Sequence, residues 1–132
     1  MPIKKVLIVD DSPTERFFLN ELLTKQGYAV SMAENAEEAM IKVKAVMPDL
    51  ILMDVVMPGQ NGFQLTRALS KDPITQDIPI IMCTAEATAD AIFGARDAGI
   101  HEFMRKPFTI KDLERRLEAV LSSEYTGTDQ TR

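Results

Sequence analysis

Residues 6–15 read Val6-Leu7-Ile8-Val9-Asp10-Asp11-Ser12-Pro13-Thr14-Glu15. The four apolar residues, three of them β-branched, fit a short strand buried on both faces, as in a parallel sheet. Two acids then end the run. Ser12 can cap a helix, Pro13 suits a first helical position, and Glu15 stands where a capping box places its acid. A buried strand passing through an acidic loop into a helix opens a strand–helix–strand crossover.

The rest of the chain repeats this pattern. Leu50-Ile51-Leu52-Met53 and Ile78-Pro79-Ile80-Ile81-Met82 are further continuous apolar runs. Tyr28–Met32 and His101–Arg105 mix polar with apolar residues, as edge strands do. Helical patterns fall between these runs. Phe18, Leu19, Leu22 and Leu23 have helical spacing, and Gly27 ends that helix. Asn35 and Glu38 open a second helix, with Ala39, Met40 and Val43 on one face and Pro48 closing the region. A third is expected from Phe63 to Ser70 and a fourth from Ala87 to Ala98, before Gly99. The fifth caps at Thr109 with Asp112 and turns Ile110, Leu113, Leu117, Val120 and Leu121 inward. Five alternations predict an α/β fold: a doubly wound, five-stranded parallel sheet with five helices and right-handed crossovers. Placing the two mixed strands at the edges gives the flavodoxin-like order 2-1-3-4-5.

Composition narrows the function classes. The chain has 132 residues, 45% hydrophobic and 27% charged, which fits one globular domain. The core pattern ends near Ser122, so residues 1–122 are expected to form the domain and 123–132 a flexible polar tail. The apolar runs are far shorter than a membrane span and the N-terminus has no signal-like segment, so a cytoplasmic protein is expected. Cys83, the single cysteine, has no internal disulfide partner. The net charge of -5, with basic residues dispersed among acids, argues against binding nucleic acid.

In an open α/β sheet, ligands bind beyond the carboxyl ends of the strands, where strand order reverses. Here that point lies between strands 1 and 3. Asp10 and Asp11 follow strand 1, Asp54 follows strand 3, Thr84 strand 4 and Lys106 strand 5. Each has an ordinary explanation alone. Paired acids favour a helix N-terminus, a lone Asp forms a turn, Thr caps a helix, and Lys-Pro marks a surface loop. Gathered on one rim, they describe a site. Three close carboxylates repel one another, and a divalent cation removes the conflict. All-oxygen ligands suit Mg²⁺. Asp54 can then serve as a carboxylate nucleophile toward a phosphoryl group. Lys106 offers a point charge to one phosphoryl oxygen and Thr84 a hydroxyl to another.

Asp10-Asp11, Met53-Asp54, Met57-Pro58-Gly59, Thr84-Ala85 and Lys106-Pro107-Phe108 together resemble the signature of the response-regulator receiver domain, a CheY-like family, over about residues 3–122. The resemblance implies that Asp54 is the phosphoacceptor. It implies that Asp11 and Asp54 bind Mg²⁺ directly, Asp10 largely through water, and the backbone carbonyl of Val56 as a further ligand. Lys106 would contact the phosphoryl group, and Thr84 with Phe103 would form the switch pair. Ile92 and Arg116 would contribute to a partner surface. The implied protein is a single-domain, monomeric response regulator of a two-component phosphorelay. A CheA-like histidine kinase would phosphorylate it, and it would catalyse only its own phosphorylation and dephosphorylation. Residues 10–15 and 57–64 are similar to the twitching-motility and phototaxis branch, which implies motility machinery as the output. Two positions depart from the common pattern. Asn61 stands where Asp is frequent, and Val56 is apolar where polar residues often occur.

Two other functions share these features. A haloacid-dehalogenase-type hydrolase also forms an aspartyl phosphate, but its Asp-x-Asp is absent from Asp54-Val55-Val56. A flavodoxin needs amide and hydroxyl donors after strand 1, where this chain is acidic. His101, the only histidine, can build neither a triad nor a His-rich metal site. The eight methionines read mainly as core filler.

Overall fold

The computed structural model describes residues 3–54, 62–84, 102–105 and 108–126. In chain order these form β1 (Lys5–Val9), α1 (Pro13–Lys25), β2 (Ala29–Ala33), α2 (Ala36–Val46), β3 (Leu50–Asp54), α3 (Gly62–Lys71), β4 (Ile80–Thr84), β5 (Glu102–Arg105) and α4 (Ile110–Thr126). The strands pair in parallel in the order β2-β1-β3-β4-β5. The α/β sheet and its two edge strands thus match the expectation. The helix expected over Ala87–Ala98 lies outside the described residues.

Two-residue alternation divides each central strand between two cores. Leu7 and Val9 of β1, Ile51 and Met53 of β3, and Ile80 and Met82 of β4 face Ala39 and Val43 of α2 and Leu65 and Leu69 of α3. Val6, Ile8, Leu50, Leu52, Ile81 and Cys83 face Leu19 and Leu23 of α1 and Leu113 and Leu117 of α4. Because both faces are covered, the strands read as unbroken apolar runs rather than alternating ones.

Local chemistry sets the helix ends. Ser12 Oγ accepts the Glu15 N–H at 3.2 Å, and Pro13 opens α1. At the other end Tyr28 N–H donates to Leu23 O and Gly27 N–H to Thr24 O, the double bond pattern of a Schellman motif. Gly27 carries the left-handed turn at φ +94°, which only glycine adopts without steric cost. α2 begins at Asn35, whose Oδ1 accepts Glu38 N–H at 2.8 Å, while Glu38 Oε1 accepts Glu34 N–H. It ends at Met47, left-handed at φ 50°, because Pro48 disfavours a helical residue before it. Thr109 and Asp112 exchange two hydrogen bonds at the start of α4.

Four expectations differ in detail. Glu15 does not supply the second half of a capping box, because the Ser12 N–H donates to Asp10 Oδ1 at 2.9 Å. β4 starts at Ile80 rather than Ile78 and runs to Thr84. Pro79 has no N–H for the ladder, and only its carbonyl takes part, accepting Ile51 N–H at 3.0 Å. Phe18 is 51% exposed although Leu19 and Leu23 are buried. α1 lays only a narrow stripe on the sheet, and the residue next to Leu19 points about 100° away around the helix. α4 continues through Thr126, four residues into the stretch expected to be tail.

At the amino ends of the strands Asp49 ties β1 to β3. Its Oδ2 accepts the N–H groups of Lys5 at 2.9 Å and Lys4 at 3.0 Å, and its own N–H donates to Lys5 O. These bonds, first that from Lys5 and then that from Lys4, together with the two lysine charges, hold its carboxyl below the usual value of 3.8. A carboxyl depressed by folding stabilises the protein above its unfolded pKa, and that contribution disappears as pH falls through the folded value. Asp49→Ala should therefore cost about 1–2 kcal/mol at neutral pH. The difference from wild type should close below about pH 3.8, as the carboxyl protonates. Urea denaturation across pH 2–7 tests this; a gap that stays constant into acid would refute the assignment.

Candidate functional site

The register of the sheet builds the site. Val9 of β1 pairs with Met53 of β3, so Asp10 and Asp54 occupy the next row on neighbouring strands. Asp54 in turn pairs with Cys83 of β4. Alternation sends Asp10 and Asp54 to the same side as Ile8 and Leu52, the side where α1 begins. Asp11 follows in the loop that enters α1. The three carboxylates each present an oxygen, and these oxygens all lie within 4.8 Å of one another.

The three acids sit in different surroundings. Asp10 is 2% exposed. Its N–H donates to Ala33 O at 3.1 Å, its Oδ1 accepts Ser12 N–H, and its carbonyl accepts from Arg16 Nη1 at 2.7 Å. Asp11 is exposed and Asp54 half-buried at the end of β3. Asp10 is therefore wired into the backbone, whereas Asp11 faces water. Oxygen-only donors of high negative charge, converging from two strand ends, suit a hard divalent cation such as Mg²⁺. The residues present fit that group.

Thr84 ends β4 opposite Arg105, whereas Phe103 of β5 pairs with Met82, two rows behind Thr84 along the sheet. Lys106, Val56, Ile92 and His101 lie outside the described residues. Arg116 is partly buried on α4. Sequence reading missed Arg16 and Glu34, which brace the acidic loop. Neither belongs to a recognisable motif, since their roles depend on β2 lying beside β1.

The family model for the response regulator receiver domain matches residues 6–118. The chain is 42% identical to protein PilH of Pseudomonas aeruginosa over 119 residues, covering 89% of this chain and 98% of PilH. It is 40% identical to the phosphate regulon transcriptional regulatory protein PhoB of the same organism over 127 residues, covering 96% of this chain and 56% of PhoB. It thus spans nearly all of the first relative and about half of the second. The solved chemotaxis response regulator CheY4 of Vibrio cholerae superposes with a TM-score of 0.83 at 31% identity, covering 90% of this chain and 99% of that one. The chain belongs to the response-regulator receiver family and is a signalling protein of the two-component type. The dehalogenase-type reading is left without support. No helix among the described residues is long and apolar enough to cross a membrane.

Three negative charges this close repel in the cation-free protein. At 4.8 Å a pair of unit charges costs about 1 kcal/mol even in a water-like dielectric. Asp11→Asn removes two such pairs and should therefore raise stability against urea by about 1–2 kcal/mol in chelator. The gain should shrink or reverse in excess Mg²⁺, which stabilises the wild type by binding its folded state. Equal stability of the two proteins in chelator would show that the carboxylates do not interact.

Proposed function

We propose that this receiver accepts a phosphoryl group from a histidine kinase on Asp54, in a reaction that requires Mg²⁺ held by Asp10, Asp11, Asp54 and the Val56 carbonyl. The observation that carries the reading is the convergence of three carboxylates at the carboxyl edge of β1 and β3. A carboxylate oxygen of Asp54 attacks phosphorus. The new O–P bond replaces the P–N bond of the donor phosphohistidine, whose electron pair returns to the imidazole ring. Hydrolysis later frees Asp54 and inorganic phosphate. When bound, Mg²⁺ neutralises charge on the phosphoryl oxygens.

The chain's own groups divide the remaining work. Burial and the Ser12 N–H hold the Asp10 carboxylate in place, which suits contact with the cation through water. Asp11, open to solvent, suits direct ligation. Lys106, the residue after β5, supplies a positive charge to the phosphoryl group, and Thr84 at the end of β4 donates its hydroxyl. Phe103 responds to the movement of Thr84, and the altered surface, including Ile92 and Arg116, changes affinity for a downstream partner. Phosphorylation shifts a two-state equilibrium and yields no released metabolite beyond phosphate. The protein is thus a switch and not a metabolic enzyme.

We assign the receiver unit to residues 1–122, in line with the family match over 6–118, with the last turn of α4 carrying on past that boundary to Thr126. It acts in the cytoplasm as a monomer, with no nucleic-acid partner of its own. The likeness to a chemotaxis regulator, with the loop residues shared with the twitching-motility branch, supports a CheA-like kinase and motility machinery as output.

Asp54→Asn keeps the shape of the side chain and removes the nucleophile. Incubated with acetyl phosphate and Mg²⁺, the wild type should gain one phosphoryl group by intact mass, and Asp54→Asn should gain none. Equal uptake by the two proteins would move the phosphoacceptor elsewhere. Thr84→Ala should still accept the group. Its amide shifts in β5, on adding beryllofluoride, should be markedly smaller than those of wild type. An identical response would break the link between Thr84 and Phe103.

A further inference from the structure

Arg16 sits in the first turn of α1, where its N–H donates to Ser12 O at 3.0 Å. Its side chain turns back toward the carboxyl end of β1. Nη1 donates to the Asp10 carbonyl at 2.7 Å, and Nη2 stands 3.8 Å from Glu34 Oε2 in the loop between β2 and α2. The Arg16 side chain is 17% exposed and that of Glu34 58%. Glu34 is itself held, because its N–H donates to Glu38 Oε1.

We propose that Arg16 is a positioning residue for the divalent-cation site, setting the peptide plane from which Asp11 projects. The proposal rests on the reading of Asp10, Asp11 and Asp54 as a Mg²⁺ site. The physical link is peptide planarity. The Asp10 carbonyl, the Asp11 N–H and the Asp11 Cα share one plane. A guanidinium bond to that carbonyl therefore fixes the direction in which Asp11 leaves the chain. On the other side of Asp10 its N–H is held by Ala33 O, and its carboxylate by Ser12 N–H. With the Arg16 bond, the acidic loop is pinned at three points. The bond is short and charge-assisted, which makes it stronger than a neutral one. The contact with Glu34 is long and half-exposed, so it orients the guanidinium fork and adds little energy.

The sign of the effect separates positioning from simple electrostatics. A positive charge near three carboxylates repels a divalent cation, so deleting it would tighten binding if charge alone mattered. Positioning predicts the opposite. A structural brace with no bearing on the site would lower stability and leave the affinity of the folded protein unchanged.

The test is calorimetric titration of Mg²⁺ into the full chain, with urea unfolding of each protein in chelator as the stability control. Arg16→Met should weaken Mg²⁺ affinity about tenfold, the usual scale for a residue that orients a ligand. Arg16→Lys, which can still donate to the carbonyl, should recover part of that loss. Glu34→Gln should stay within about threefold of wild type. Should Arg16→Met fail to fold, Arg16→Ala, which likewise has no side-chain donor, carries the same expectation of weakened binding. Wild-type or tighter affinity in folded Arg16→Met, or in Arg16→Ala when that variant is used, overturns the positioning role alone. A wild type that binds no Mg²⁺ overturns the cation reading and the proposal with it.

Discussion

The pairing of β1 with β3 is the constraint on which the rest of this structure depends. It joins two strands that are distant in sequence, and its register places Val9 opposite Met53. Everything at the carboxyl edge follows from that alignment. Shifting either strand by one residue would send its buried side chains to the opposite core and its terminal aspartate to the opposite face. The apolar cores on both sides therefore protect the geometry of the site. Leu52 and Ile8 are packed against α1 and α4, and the same alternation aims Asp54 and Asp10 together. The hydrophobic effect thus holds like charges at a separation they would not choose.

The protein meets that repulsion by giving the acids different roles. Asp10 is buried and hydrogen-bonded on its N–H, carboxylate and carbonyl. It is part of the scaffold as much as of the site. Asp11 remains open to water, where its charge is cheaply solvated. Asp54 ends a central strand and is half-buried, so its backbone is held by the sheet while its carboxylate reaches the edge. A site that is rigid beneath and open above suits a cation that keeps part of its water shell.

The opposite edge of the sheet shows what a solved charge problem looks like. Asp49 receives two backbone N–H groups from the start of β1, and Lys5 Nζ donates to the Val46 carbonyl near the end of α2. Here charge and hydrogen bonding agree, and the ionised carboxyl is favoured. A carboxylate is thus satisfied at the amino ends of the strands, while three carboxylates crowd together at their carboxyl ends, where the proposed chemistry takes place.

Much of this was legible in the amino-acid sequence. Strand-helix alternation, the caps at Ser12, Asn35 and Thr109, the stop at Gly27 and the edge positions of β2 and β5 are local or compositional properties. Backbone periodicity and side-chain capping express them within a few residues of one another. The candidate acids were legible too, because strand ends in this fold class gather at one edge. Other features were decided by the tertiary structure alone. The late start of β4 depends on a ladder that Pro79 joins only through its carbonyl. The exposure of Phe18 depends on how α1 is rotated over the sheet. The Ser12 N–H serves Asp10 rather than Glu15, and Arg16 reaches across to the Asp10 carbonyl and Glu34. These outcomes rest on register, helix rotation and contacts between segments far apart in the chain. Such features arise from the packing of the whole core, so no short stretch of sequence contains them.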